Sequence, residues 1–175
     1  VALPDFACEP ALHDSSVDHR VDLTVEKHRE AWNIYRAEEW PFEVLPVVQG
    51  WDPAEYRECA RRYREQDLDA DRMAIGTVCK RDDPNKIIEV LDACEDVLGY
   101  RDWHLFGLTL AGWKDRRLWG RFESSDTSAW AFLASSKAEK MEMFADYRER
   151  VAQLGRAIGE QTSLLAADGG RNSRY

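Results

Sequence analysis

FEVLPVVQGW, residues 42–51, decides the fold. Its first half is a short apolar run of β-favouring residues with no helical period, the pattern of a fully buried strand. Pro46 removes a ladder donor, which places it at a strand end or a bulge. The run stops on Gln49-Gly50-Trp51, and Asp52-Pro53 then supplies an N-cap and a first helical residue. Gln49 at the carboxyl end offers a donor and an acceptor together, and Gly50 lets a flat ligand approach the backbone. A strand-to-helix turn that binds nothing is the plainer reading of the same residues.

The pattern repeats on both sides of this stretch. Upstream, residues 1–4 (VALP) read as a strand, and residues 23–39 carry Val25, Trp32, Ile34 and Tyr35 among charges, predicting a helix opened by Thr24 and Glu26. Downstream, residues 52–66 predict a helix with Tyr56, Ala60 and Tyr63 on one face and Arg57, Arg61 and Arg64 on the other. MAIG (73–76) is a short strand ending in Gly. Pro84 starts a helix over 85–98, with Ile87, Ile88, Leu91 and Val97 inward and Gly99 as its stop. WHLFG (103–107) is the next strand, followed by a short helix around 113–121 and a run ending at Asp126. A long amphipathic helix from 136 to about 167 and a frayed DGGRNSRY close the chain.

Strands alternating with helices about every 25 to 30 residues give the α/β class and a parallel sheet. Gln49-Gly50, Gly76, Gly107 and Asp126 all stand where a strand ends. In a (β/α)8 barrel of the TIM type those ends converge on one face, where the chemistry sits. A closed barrel needs eight strands in roughly 250 residues. The expectation is therefore an incomplete barrel, about five βα units of its second half, over residues 1–135, with 136–175 as a helix and tail. A start at Val1 rather than Met fits a fragment.

At 175 residues with net charge −9 and pI near 5.0, the chain has one domain's length and no overall basic field for nucleic acid. A nucleic-acid partner has to meet a local patch. Lys114, Arg116, Arg117 and Arg121, just before Asp126, suit this better than the Arg57/Arg61/Arg64 row, which reads as a solvated helix face. Cys8, Cys59, Cys79 and Cys94 form no CxxC and no Cys/His cluster, so the zinc signature is absent. They read as thiols of a reducing compartment, and a cytoplasmic location is expected. No apolar stretch approaches membrane-spanning length.

LPDFACEP (3–10), LPVVQGW (45–51), MAIGTVCKR (73–81), HLFGL (104–108) and SSDTSAW (124–130), in this order and spacing, resemble the tRNA-guanine transglycosylase superfamily. The likeness is strongest to its DNA-acting branch, the 7-deazaguanine DNA transglycosylases of phage and bacterial modification clusters. The resemblance implies a pentosyltransferase that cuts guanine from its nucleoside and joins a 7-deazaguanine in its place. It implies Asp126 as the nucleophile on C1′, and Asp5, Gln49 and Gly76 as the base-binding set. Gly107 then keeps the pocket floor open, beside Gly50. The implied partners are DNA, less strongly tRNA, a base such as 7-cyano-7-deazaguanine, and the amino-terminal half of the barrel or a partner chain. No cofactor is expected. The superfamily's Ser-Gly-Gly loop, its other catalytic Asp and its zinc motif are not in this chain, so activity from the chain alone is not expected.

Plainer readings stand beside these. Asp126 in Ser-Ser-Asp-Thr-Ser is also a helix N-cap sequence, and Asp5 also a turn residue. Glu9 could pair with an Arg. His104 reads as a satisfied core histidine, and His13, His19 and His28 as solvent-facing. Trp51, Trp113 and Trp119 stack on bases or, for two of the three, pack in the core. The alternatives in function are a non-catalytic module that binds a base or a partner protein, a hydrolytic N-glycosidase, and an enzyme acting on tRNA.

Overall fold

The protein is described here as a computed structural model, in which residues 1–12, 15–38, 40–79, 81–127 and 134–169 are placed. Four short strands, β1 (Val47–Val48), β2 (Arg72–Ile75), β3 (Asp102–Leu105) and β4 (Ser124–Ser125), form one parallel sheet in chain order. Their register is a straight row, Val48 opposite Ile75, Ile75 opposite Leu105, and Leu105 opposite Ser125. Ala2 adds a parallel bridge to Leu45, with Leu3 N–H on the Leu45 carbonyl at 3.0 Å. The α/β class therefore stands. β1 is shorter than residues 42–48 suggest because Pro46 stands just before it. Pro46 still contributes its carbonyl, which accepts from Ala74 N–H at 2.7 Å.

The crossover helices explain the buried face. α2 (Pro53–Glu65) begins with a complete capping box, Asp52 accepting from Glu55 N–H at 3.0 Å and Glu55 accepting from Asp52 N–H at 2.9 Å. Its Tyr56, Ala60 and Tyr63 are fully buried, as the periodicity predicts, and Cys59 joins them. α3 (Pro84–Leu98) is capped by Asp83 and ends at Gly99, whose φ of +72° is the left-handed conformation glycine supplies. Ile87 and Leu91 are buried; Ile88 and Val97 are half-buried.

Three expectations about the helices need correction. The first helix, α1 (Val17–Ala37), starts at an N-cap on Ser16, earlier than residue 23. Arg20, Thr24 and His28 belong to its buried stripe, and these polar members hide the period from a hydrophobicity count. Thr24 does not open the helix. Its hydroxyl accepts from Phe6 N–H at 3.0 Å and donates to the Arg20 carbonyl at 2.9 Å, tethering the amino-terminal segment. His28 faces the core, where its Nδ1 meets the Tyr63 hydroxyl, while His19 is exposed. The short helix around 113–121 is instead α4 (Leu110–Lys114) and a separate 3-10 turn, Arg116–Leu118, interrupted by Asp115.

The chain divides into a unit of Val1–Thr127 and a second of Ser128–Tyr175. The described element of the second is α5 (Lys137–Gly169). Ser136 starts it, its hydroxyl accepting from Glu139 N–H at 3.2 Å. His13, the run at 128–133 and the final residues 170–175 lie outside the described residues. Among the described residues no helix is long and apolar enough to cross a membrane.

Candidate functional site

One residue beyond the paired row of the sheet stand Gln49, Gly76, Phe106 and Asp126. They follow directly on Val48, Ile75, Leu105 and Ser125. A parallel ladder keeps paired side chains on one face, so these positions share a face at the carboxyl edge. Gln49 and Asp126 are three interstrand steps apart, about 14 Å of backbone at most.

On the β1–β2 side the polar groups bond to one another. Gln49 is 1% exposed. Its Nε2 donates to Asp5 Oδ2, and its Oε1 accepts from the Thr77 hydroxyl at 2.6 Å. The Thr77 oxygen in turn accepts from Cys8 N–H at 3.1 Å. Gly76 lies under the Gln49 amide, and a Cβ there would come within 2.6 Å of Gln49 Cδ. The Gly76 carbonyl accepts from the buried Tyr56 hydroxyl at 2.6 Å. Thr77 sits at φ +55°, a conformation that strains a β-branched residue by on the order of 1–3 kcal/mol. Partial burial raises the Asp5 carboxyl pKa above its ordinary value, against the lowering effect of the Gln49 hydrogen bond. Burial also pushes the Cys8 thiol up to about 11, which removes it as a thiolate nucleophile near neutrality.

On the β3–β4 side the groups are more open. Asp126 is exposed, and its Oδ1 accepts from Gly107 N–H at 2.7 Å. Gly107 has φ +78° and packs against the Cys79 side chain, so no side chain fits there. His104 is not the satisfied core residue of the sequence reading. It is half-buried, with Nε2 4.0 Å from Asp126 Oδ1, Nδ1 2.9 Å from Ser124 Oγ, and its ring edge-on to Phe106. Burial lowers its pKa, and the neighbouring Asp126 opposes that shift.

The remaining candidates fall elsewhere. Gly50 has a packing reason, since a Cβ there would lie 2.7 Å from Tyr56 N in the first turn of α2. Arg81 is buried, donates to the Trp51 carbonyl at 2.5 Å, and lies over the Trp51 and Tyr56 rings at 5.4 and 5.5 Å. Trp51 itself is 37% exposed, whereas Trp113 packs edge-on against Phe122 and accepts the Trp119 indole N–H on its carbonyl. Glu9 is buried, and its Oε1 has no hydrogen-bond partner among the described residues. Two of the four cations before Asp126 are paired, Arg117 with Asp115 at 2.6 Å and Arg121 with Asp92 and Glu95 at 2.7 and 2.5 Å, while Arg116 lies over the Trp119 ring. Arg57 and Arg61 are exposed and paired with Asp96, Glu58 and Glu65. Among the described residues no cluster of His, Cys, Asp or Glu is placed to hold a metal ion.

No protein-family model matches the chain, and no curated protein matches it either. Thr77 and Arg81 were not singled out in the sequence, and His104 was read there as a core residue. The one available signal was position, because each stands on, or a few residues beyond, a strand that carries a predicted site residue.

Proposed function

We propose that this chain forms the base-binding and nucleophilic part of a guanine transglycosylase that exchanges guanine in DNA for a 7-deazaguanine. The observation that carries the reading is the Asp5–Gln49 pair laid over Gly76, on the same edge of a parallel sheet as Asp126. A carboxylate beside a primary amide matches the N–H and carbonyl edge of guanine. Asp126, exposed and oriented by the Gly107 N–H, is available to C1′. In the first step its oxygen bonds to C1′ as the C1′–N9 bond breaks, and guanine leaves with the electron pair and takes up a proton. In the second step N9 of the incoming base loses its proton, attacks C1′ and expels the carboxylate. The target guanine reaches such an edge single-stranded or flipped out of the helix.

In this reading the sheet is part of a (β/α)8 barrel, and the strands needed for closure come from further sequence or from another chain. The test is to incubate the full-length protein, with the strands that close the barrel, with DNA and, separately, tRNA, each carrying labelled guanine, with 7-cyano-7-deazaguanine added. Release of labelled guanine from DNA with incorporation of the deazaguanine is expected. Release from tRNA alone moves the substrate to RNA. Release without incorporation indicates a hydrolase, and base binding with no release indicates a module without chemistry.

A further inference from the structure

Thr77 occupies a conformation that costs a β-branched residue strain, it is 7% exposed, and its hydroxyl lies between two other groups of the site. A strained residue held by its surroundings points to a constraint that an unstrained one does not meet. The bonding is directional. Cys8 N–H can only donate, so the Thr77 oxygen must accept there. Its single proton then goes to Gln49 Oε1, 2.6 Å away. A primary amide can otherwise turn over, exchanging its oxygen for its nitrogen at little cost in shape. With the oxygen committed to Thr77, Gln49 turns its Nε2 toward Asp5.

We propose that Thr77 is a positioning residue that fixes the Gln49 amide so that the carboxyl edge of the sheet holds a donor, Gln49 Nε2–H, beside an acceptor, the Asp5 carboxylate. The inference rests on the base-binding reading above and names its selectivity. A ring edge with an acceptor oxygen next to an N–H, as in guanine, meets both groups correctly. The edge of 2,6-diaminopurine brings an amino donor to the Gln49 donor and is rejected, because buried polar groups are left unpaired. Were the amide free to turn, Gln49 would offer its oxygen to that amino group and the discrimination would shrink.

Two variants and two readouts test this. Thr77→Val keeps the branched shape and removes the hydroxyl; Thr77→Ser keeps the hydroxyl. In the ligand-free protein, the side-chain NH2 signals of Gln49 in an NMR spectrum should be separated and protected in wild type and Thr77→Ser. In Thr77→Val they should exchange faster and shift. By titration calorimetry with guanine and with 2,6-diaminopurine, the affinity ratio should fall by about tenfold or more in Thr77→Val and hold within about threefold in Thr77→Ser. An unchanged Gln49 signal and an unchanged ratio in Thr77→Val overturn the proposal. A wild-type protein that binds neither base, while Thr77→Val still releases the Gln49 amide, overturns the base-binding reading and leaves the positioning role standing.

Discussion

Around Gln49 the backbone N–H, the side-chain oxygen and the side-chain nitrogen are all engaged, by Cys59, Thr77 and Asp5. Around Asp126, three strands away, the neighbours among the described residues are a backbone N–H and a histidine at 4.0 Å, beside an exposed carboxylate. The two sides solve different problems. A group that recognises shape gains from being fixed before the ligand arrives, since the ordering entropy has already been lost on folding. A group that must form and break a bond to a moving carbon gains from access and from one donor that holds its direction without quenching it. The buried side is also the strained side, at Thr77. The open side contains glycine where a positive φ is needed, at Gly107.

The sharpest way to break this comparison is Asp126→Asn, which keeps the shape and the contact to Gly107 while removing the nucleophile. Transfer should fall by about a thousandfold or more with guanine affinity nearly unchanged. The covalent adduct with DNA should vanish from a denaturing gel. A retained adduct excludes Asp126 as nucleophile.

The buried side should respond to acid through His28, which burial holds down to about 4 against the neighbouring Leu3 and Pro4 carbonyls. The unfolded chain binds a proton near 6.5 and the folded one does not, so the stabilisation is present above 6.5 and is lost as the pH falls toward 4. The loss should reach about 3 kcal/mol, read as a slope in urea-unfolding free energy against pH. His28→Gln should flatten that slope; a slope that persists in the variant assigns it to other groups.

Asp5→Asn should weaken guanine binding by about 2 kcal/mol, roughly thirtyfold, because an amide donor then faces the donors of both Gln49 and the base. In the wild type, binding should weaken as the pH drops through the raised Asp5 pKa, above the ordinary 3.8, since protonation removes the charge and turns one acceptor oxygen into a donor. Calorimetry at several pH values separates the two effects. The smallest change should come from His104→Gln, which keeps a polar group beside Ser124. Base affinity should stay within about twofold while transfer slows by about tenfold, the modest part expected of a neighbour that does not itself react. An equal loss of affinity and rate would instead place His104 on the binding side.

Much of the framework was legible from local chemistry. Asp52 and Pro53, Asp83 and Pro84, and Gly99 act through the backbone next to them, so the bounds of α2 and α3 follow from neighbouring residues alone. The start of α1 was not legible, because Arg20, Thr24 and His28 are polar residues whose burial depends on Ser15, Phe6 and Tyr63. Asp5, Gln49, Gly76, Gly107 and Asp126 could be picked out from strand ends and motif order, and the sheet register puts four of their strands in one row. The partnerships among them were not readable.

By itself, the sequence determined the alternation of short apolar runs with capped helices, the strand-end positions that carry polar residues and glycine, and the absence of a zinc-ligand pattern. The parallel sheet expected from that alternation pairs in chain order, and only the tertiary structure decided its register. It also decided that Thr77 holds Gln49 and that His104 stands beside Asp126 rather than in the core. Caps and hydrophobic periods act over a few residues and are written into local sequence. The Cys8–Thr77–Gln49–Asp5 relay joins residues 69, 28 and 44 positions apart, and such contacts exist only once the sheet has brought its strand ends together.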